Sequence, residues 1–293
     1  MTDPVVVGID GSPASLTAAQ HAAEVAVMRS APLLLVHGYL HPFRYGVPFD
    51  PYAVRLPPPS EEATRMLDEV AGGLRDRWPG LTVAVRQAPG GPAAALIDKS
   101  HSAQLVVVGS RGHGGFAGLL LGSVSAQVAA HARCPVLVVR PADRPTASAG
   151  PVVVGIDGSA GSAPALEFAV DDAARRGLPL AVTHVWSVDA STPVQKSYAD
   201  TEASARTAAE ALLAEAVAAA RQHHHELAVE ERLVHALDPK QVLIEASADA
   251  SVVVVGSRGR GGFTGLLLGS ASQALVHHAH CPVVIAHPRG HRE

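Results

Sequence analysis

Cysteine is nearly missing. With only Cys134 and Cys281 in 293 residues, a disulfide framework is not expected, and a metal site built on cysteine pairs is excluded. Aromatic residues make up 4% of the chain, which argues for close helix-on-sheet packing and against stacking platforms for bases. Basic excess is absent too: the net charge of −4 offers no face for nucleic acid. No apolar run approaches the roughly 20 residues that cross a bilayer. Met1-Thr2-Asp3-Pro4 carries no basic start of a targeting signal. A cytoplasmic chain without membrane insertion is therefore expected. What is present, 47% hydrophobic residues dominated by alanine and valine, suffices for two domains with a core each.

The chain is written twice. Gly8-Ile9-Asp10-Gly11-Ser12 recurs as Gly155-Ile156-Asp157-Gly158-Ser159. His37 recurs as His184, and the ending Cys134-Pro135-Val136 as Cys281-Pro282-Val283. One offset of 147 residues relates all of these pairs, which means a duplicated domain and not a solenoid. The expected division is 1–143 and 151–293, joined by a linker at 144–150 within the proline- and small-residue stretch that begins at Pro141.

Strand and helix signals alternate in both halves. The first half predicts strands at 5–9, 33–36, 81–86, 105–108 and 136–139. Helices are expected from Ser12-Pro13 to about Arg29, from Ser60, around 93–101, and over 123–131. Pro32 is read as the breaker of the first helix, and the proline-rich segment 41–59 as a surface loop. The second half repeats this order, with strands at 152–156, 180–186, 228–233, 252–255 and 283–286. Alternating βα units give two doubly wound α/β domains, each a five-stranded parallel sheet with helices on both faces, Rossmann-like in character. Ligands of such sheets belong at the carboxyl ends of strands, near the topological switch point.

The glycines stand at that edge. Gly109-x2-Gly112-x9-Gly122-Ser123 and Gly256-x2-Gly259-x9-Gly269-Ser270 each follow a buried strand and lead into a helix. Glycines let the backbone approach a ligand closely, and the helix opening adds N–H donors and the positive end of its dipole. Phosphate suits that arrangement. Ser123 and Ser270 can add a hydroxyl; Arg111, Arg258 and Arg260 can balance charge. His113 stands where the second copy has Arg260, so the first site is the less positive. A P-loop is excluded, because no Gly-Lys pair occurs in the chain. The dinucleotide fingerprint is excluded by place, since its glycines belong after the first strand.

The doubled glycine spacing, Asp10 and Asp157 after the first strand of each half, and the Cys-Pro-Val endings together resemble the universal stress proteins over nearly the whole chain. The resemblance implies ATP, or a related adenine nucleotide, bound by each domain. It implies Mg2+ beside Asp10 and Asp157, and adenine beside Gly38 and Val185, where glycine removes an apolar wall from the first site. The implied set is Gly8, Asp10, Gly38, Gly109, Arg111, Gly112, His113, Gly114, Gly115, Gly122, Ser123 and Val124 in the first domain. In the second it is Gly155, Asp157, Val185, Gly256, Arg258, Gly259, Arg260, Gly261, Gly262, Gly269, Ser270 and Ala271. The second site is expected to be the more complete. The resemblance further implies a role in stress, dormancy or growth control, an unidentified protein partner, and homodimer formation. The apolar strands 136–139 and 283–286 offer edges for that pairing.

Other features read as structural. Ser12 and Ser159 are expected to cap helices, and His37 and His184 to hold strand ends. His223-His224-His225 cannot readily share one ion, because neighbours on a helix point in different directions. Cys134 and Cys281 read as buried thiols. Two functions stay open: a nucleotide-dependent regulatory protein without catalysis, and a slow ATPase or nucleotide-activating enzyme. No catalytic constellation is legible.

Overall fold

A computed structural model describes residues 2–39, 60–112, 121–140, 149–188, 198–259 and 268–287. The chain forms two compact units that divide between Pro141 and Ala142.

In the first unit the order is β1 (Val5–Gly8), α1 (Pro13–Met28), β2 (Leu33–Tyr39), α2 (Glu61–Arg77), β3 (Val83–Pro89), α3 (Pro92–Ser100), β4 (Leu105–Gly109), α4 (Ser123–His131) and β5 (Val136–Val139). The strands lie in the order β3-β2-β1-β4-β5, all parallel. Val5, Val6 and Val7 of β1 are fully buried, as β-branched residues on a central strand covered on both faces should be. Two glycines show that both faces are covered. A side chain on Gly8 would meet Leu96 of α3, whereas one on Gly109, on the opposite pleat, would meet Ala14 of α1.

The second unit holds β6 (Val152–Ile156), α5 (Ser162–Arg176), β7 (Leu180–Trp186), α6 (Tyr198–His223), β8 (Val229–His235), α7 (Pro239–Ala246), β9 (Val252–Gly256), α8 (Ser270–His278) and β10 (Val283–Ala286). Its strand order is β10-β9-β6-β7-β8, again parallel. Each unit is thus the expected doubly wound α/β sheet. The chain runs outward from β1 through β2 to β3, then crosses to β4 and β5. The switch point lies between β1 and β4, and between β6 and β9 in the second unit.

The end of α1 falls where the sequence reading put it, at Met28 with Arg29 as the cap, whereas the ends of β2, β3 and β8 differ from that reading. Helix α1 stops before Pro32: Ser30 takes a left-handed φ of 49°, and Ala31 N–H closes back onto Ala26 O at 2.9 Å. Strand β3 starts later and runs on to Pro89, because it pairs with β2 as far as Tyr39. Proline is tolerated there because β3 lies at one end of its unit's strand order. Strand β8 likewise extends to His235, opposite Trp186. The loop at 41–59 lies outside the described residues.

Candidate functional site

The site begins at the end of β1. There the chain turns through Gly11 at a φ of 85°, and through Gly158 at 73° in the second unit, a conformation that favours glycine. The turn holds an aspartate by one oxygen. Asp10 Oδ1 accepts hydrogen bonds from the Ser12 N–H at 2.9 Å and the Ser12 hydroxyl at 2.6 Å. Asp157 Oδ1 accepts from the Ser159 N–H at 3.0 Å and the Ser162 hydroxyl at 2.8 Å. The other oxygen, Oδ2, rests against Gly112 in one unit and Gly259 in the other, where a Cβ would strike it.

The serines after the aspartates part ways. Ser12 caps α1, accepting from Ser15 N–H at 3.2 Å. Ser159 does not cap α5, contrary to expectation. That helix starts at Ser162 behind Gly161, and the Ser159 hydroxyl donates to Arg258 O at 3.4 Å. Gly161 sits so close to Arg258 O that any side chain there would collide with it.

Strand β4 delivers Gly109 against α1: a Cβ there would lie 2.8 Å from the Ala14 backbone. In the second unit Gly256 meets Gly161 O at 2.6 Å in the same sense. Across the loop, Gly122 N–H donates to Ser110 O at 2.7 Å and Gly269 N–H to Ser257 O at 2.9 Å. Helices α4 and α8 then open on these glycines, with no side-chain hydrogen bond capping either one. Their first-turn N–H groups are thus met by no capping side chain.

Two pairs of residues fix this geometry. The Ser125 hydroxyl donates to Gly109 O at 2.6 Å, and Ser272 to Gly256 O at 2.6 Å. Both serines escaped the sequence reading, although Gly-Ser-x-Ser appears in both copies at the same place. His37 Nδ1 lies 2.8 Å from Ile9 O, and His184 Nδ1 the same distance from Ile156 O. Since a carbonyl can only accept, Nδ1 carries the proton. Each imidazole ties β2 or β7 to the residue before the aspartate, which is the strand-holding role expected of it.

All these elements meet at one cavity per unit. Gly8, Asp10, Gly38, Gly109, Arg111, Gly112, Gly122, Ser123 and Val124 line the first, of about 290 Å3. Gly155, Asp157, Val185, Gly256, Arg258, Gly259, Gly269, Ser270 and Ala271 line the second, of about 510 Å3. His113, Gly114, Gly115, Arg260, Gly261 and Gly262 lie outside the described residues. The wall at Gly38 is not missing, as the sequence suggested. Pro92 has closed onto it, so near that a Cβ on Gly38 would overlap the Pro92 backbone.

Among the described residues no group of three or more His, Cys, Asp or Glu could hold a metal ion, and no helix is long and apolar enough to cross a membrane. α6 ends at His223, and His224 stands 3.9 Å from Asp171. Cys134 and Cys281 are buried free thiols. Burial pushes the Cys281 thiol up to about 12, so it stays protonated and unreactive.

The family model of the universal stress proteins matches residues 1–140 and again 149–287. The chain belongs to the universal stress protein family. It is 38% identical over 291 residues to a universal stress protein of Mycolicibacterium smegmatis, covering 97% of both chains. It is 36% identical over 292 residues to one of Mycobacterium tuberculosis, covering 96% of this chain and 95% of that one. Among solved structures, a universal stress protein from Archaeoglobus fulgidus superposes with a TM-score of 0.69 at 23% identity, covering 99% of this chain and 98% of that one. This last likeness speaks to the fold alone.

Proposed function

We propose that each unit binds an adenine nucleotide, ATP in the first instance, and that occupancy sets the conformation or the partners of the protein. One observation carries the reading. In both units an uncapped helix N-terminus, a glycine turn and the aspartate bonded within that turn border the same cavity. Gly109, Gly112, Gly122 and Ser123 would hold the phosphates, as would Gly256, Gly259, Gly269 and Ser270, with Arg111 and Arg258 balancing charge. Asp10 and Asp157 supply hard oxygen donors of the kind Mg2+ takes, one carboxylate per site, with phosphate oxygens and water completing the shell. Mg2+ there would neutralise phosphate charge. The sequence shows no catalytic constellation, so the reading is of a binding protein acting in the stress-related control that the family's name denotes. Its partner is another protein, a second copy included.

The test is to denature freshly purified protein and identify any released nucleotide by chromatography, together with its molar ratio to chain. ATP near two per chain supports both sites, and near one supports a single working site. No nucleotide, and no binding of added Mg-ATP, sinks the proposal. Multiple-turnover phosphate release abolished by Asp10→Ala with Asp157→Ala would instead favour the slow ATPase.

A further inference from the structure

The two cavities share their phosphate end and differ in the wall built by the second strand of each unit. In the first unit Val36 and Gly38 form that wall, with Pro92 closed onto Gly38. In the second unit the corresponding positions are Thr183 and Val185, and Lys240 joins the lining where the first repeat has Ala93.

Thr183 is 2% exposed, and its hydroxyl has no hydrogen-bond partner among the described residues. The parallel register sets it beside Gly155. A side chain on Gly155 would point at Leu243 of α7, so Thr183 stands on the sheet face that α7 covers, next to a position that has no side chain. Thr183, Gly155 and Leu243 all line the cavity. A buried hydroxyl left without a partner is costly to the fold. Val36 shows that the same strand position accepts valine, which has the same shape and no such cost. The hydroxyl is therefore not required by packing. It occurs only in the cavity whose lining also includes Lys240.

We infer that Thr183 is a specificity residue of the second site, hydrogen-bonding a polar edge of the bound nucleotide's base. The first site has Val36 at that position and offers no hydroxyl there, while Pro92 and its repeat counterpart Pro239 line both cavities. This inference rests on the nucleotide reading above and adds that the two sites differ in what they select.

The full chain, stripped of nucleotide, is titrated by calorimetry with Mg-ATP and, separately, with magnesium tripolyphosphate, which has no base. Thr183→Val is expected to weaken ATP binding at one of two sites about five- to tenfold and to leave tripolyphosphate binding unchanged. It is also expected to raise the melting temperature of the ligand-free protein, because the unpartnered hydroxyl is gone. Thr183→Ser, which keeps the hydroxyl, is expected to retain ATP affinity. If wild type binds ATP at two sites and Thr183→Val binds it equally well, the inference fails while the nucleotide reading stands. A lower melting temperature for ligand-free Thr183→Val would also overturn it, since the hydroxyl would then serve the fold. Wild type that binds tripolyphosphate and no ATP more tightly would overturn base recognition, and wild type that binds neither would overturn the nucleotide reading itself.

Discussion

The carboxylate of Asp10 presses on the backbone of Gly112, and Asp157 presses on Gly259 in the same way. The contact joins the turn after the first strand of each unit to the glycine loop after the fourth, and a side chain at Gly112 or Gly259 would have to displace it. In each pair the atom in the way is the end of a side chain, so a methyl group there would swing the aspartate and leave the backbone in place.

Gly112→Ala and Gly259→Ala are therefore expected to fold, with far-UV circular dichroism unchanged, and each to lose nucleotide affinity about tenfold or more at its own site. Calorimetry on the full chain should show one of two binding equivalents weakened by each substitution. If both variants bind as wild type does, the aspartates lie outside the site.

His184→Ala should destabilise the second unit by about 1–3 kcal/mol, because it strips a buried carbonyl, Ile156 O, of its donor. His37→Ala removes the same bond to Ile9 O, but His37 is only half-buried, and water can take its place. Its cost belongs at the lower end of that range. Urea unfolding curves for the two variants would check the order, and a larger loss for His37→Ala would contradict it.

Alkaline pH should find Cys281. Its thiol is raised from 9.0 to about 12 in the folded chain by burial, so above pH 9 the unfolded chain releases a proton that the folded chain keeps. The stability contribution is intact below about pH 9 and is lost progressively as pH rises towards 12. Cys281→Ala should flatten this part of the stability profile. At neutral pH the native thiol should resist alkylation that the urea-unfolded chain undergoes readily.

The glycine spacing was legible because it records a backbone requirement that only one residue type meets: Gly109 against the Ala14 backbone, Gly256 against the Gly161 backbone. The β-branched central strands were legible for a similar reason, since burial on both faces leaves few alternatives to valine. Long-range pairings were not. Nothing local in Pro92 says that it will close onto Gly38, and nothing in Ser125 names Gly109 O as its partner. Ser159 misled because serine before a helix is a common cap, whereas the cap position of α5 is Gly161, two residues further on. The end of β3 was hidden by Pro89, a residue that argues against a strand until its place at the end of the strand order is known.

The hydrogen bond from Gly122 to Ser110, repeated between Gly269 and Ser257, ties each glycine loop off at its base. Each bond fastens the start of a helix to the end of a strand, α4 to β4 and α8 to β9. The helix opening is thereby located by the sheet, and its position does not depend on the length of chain between the two fastened ends.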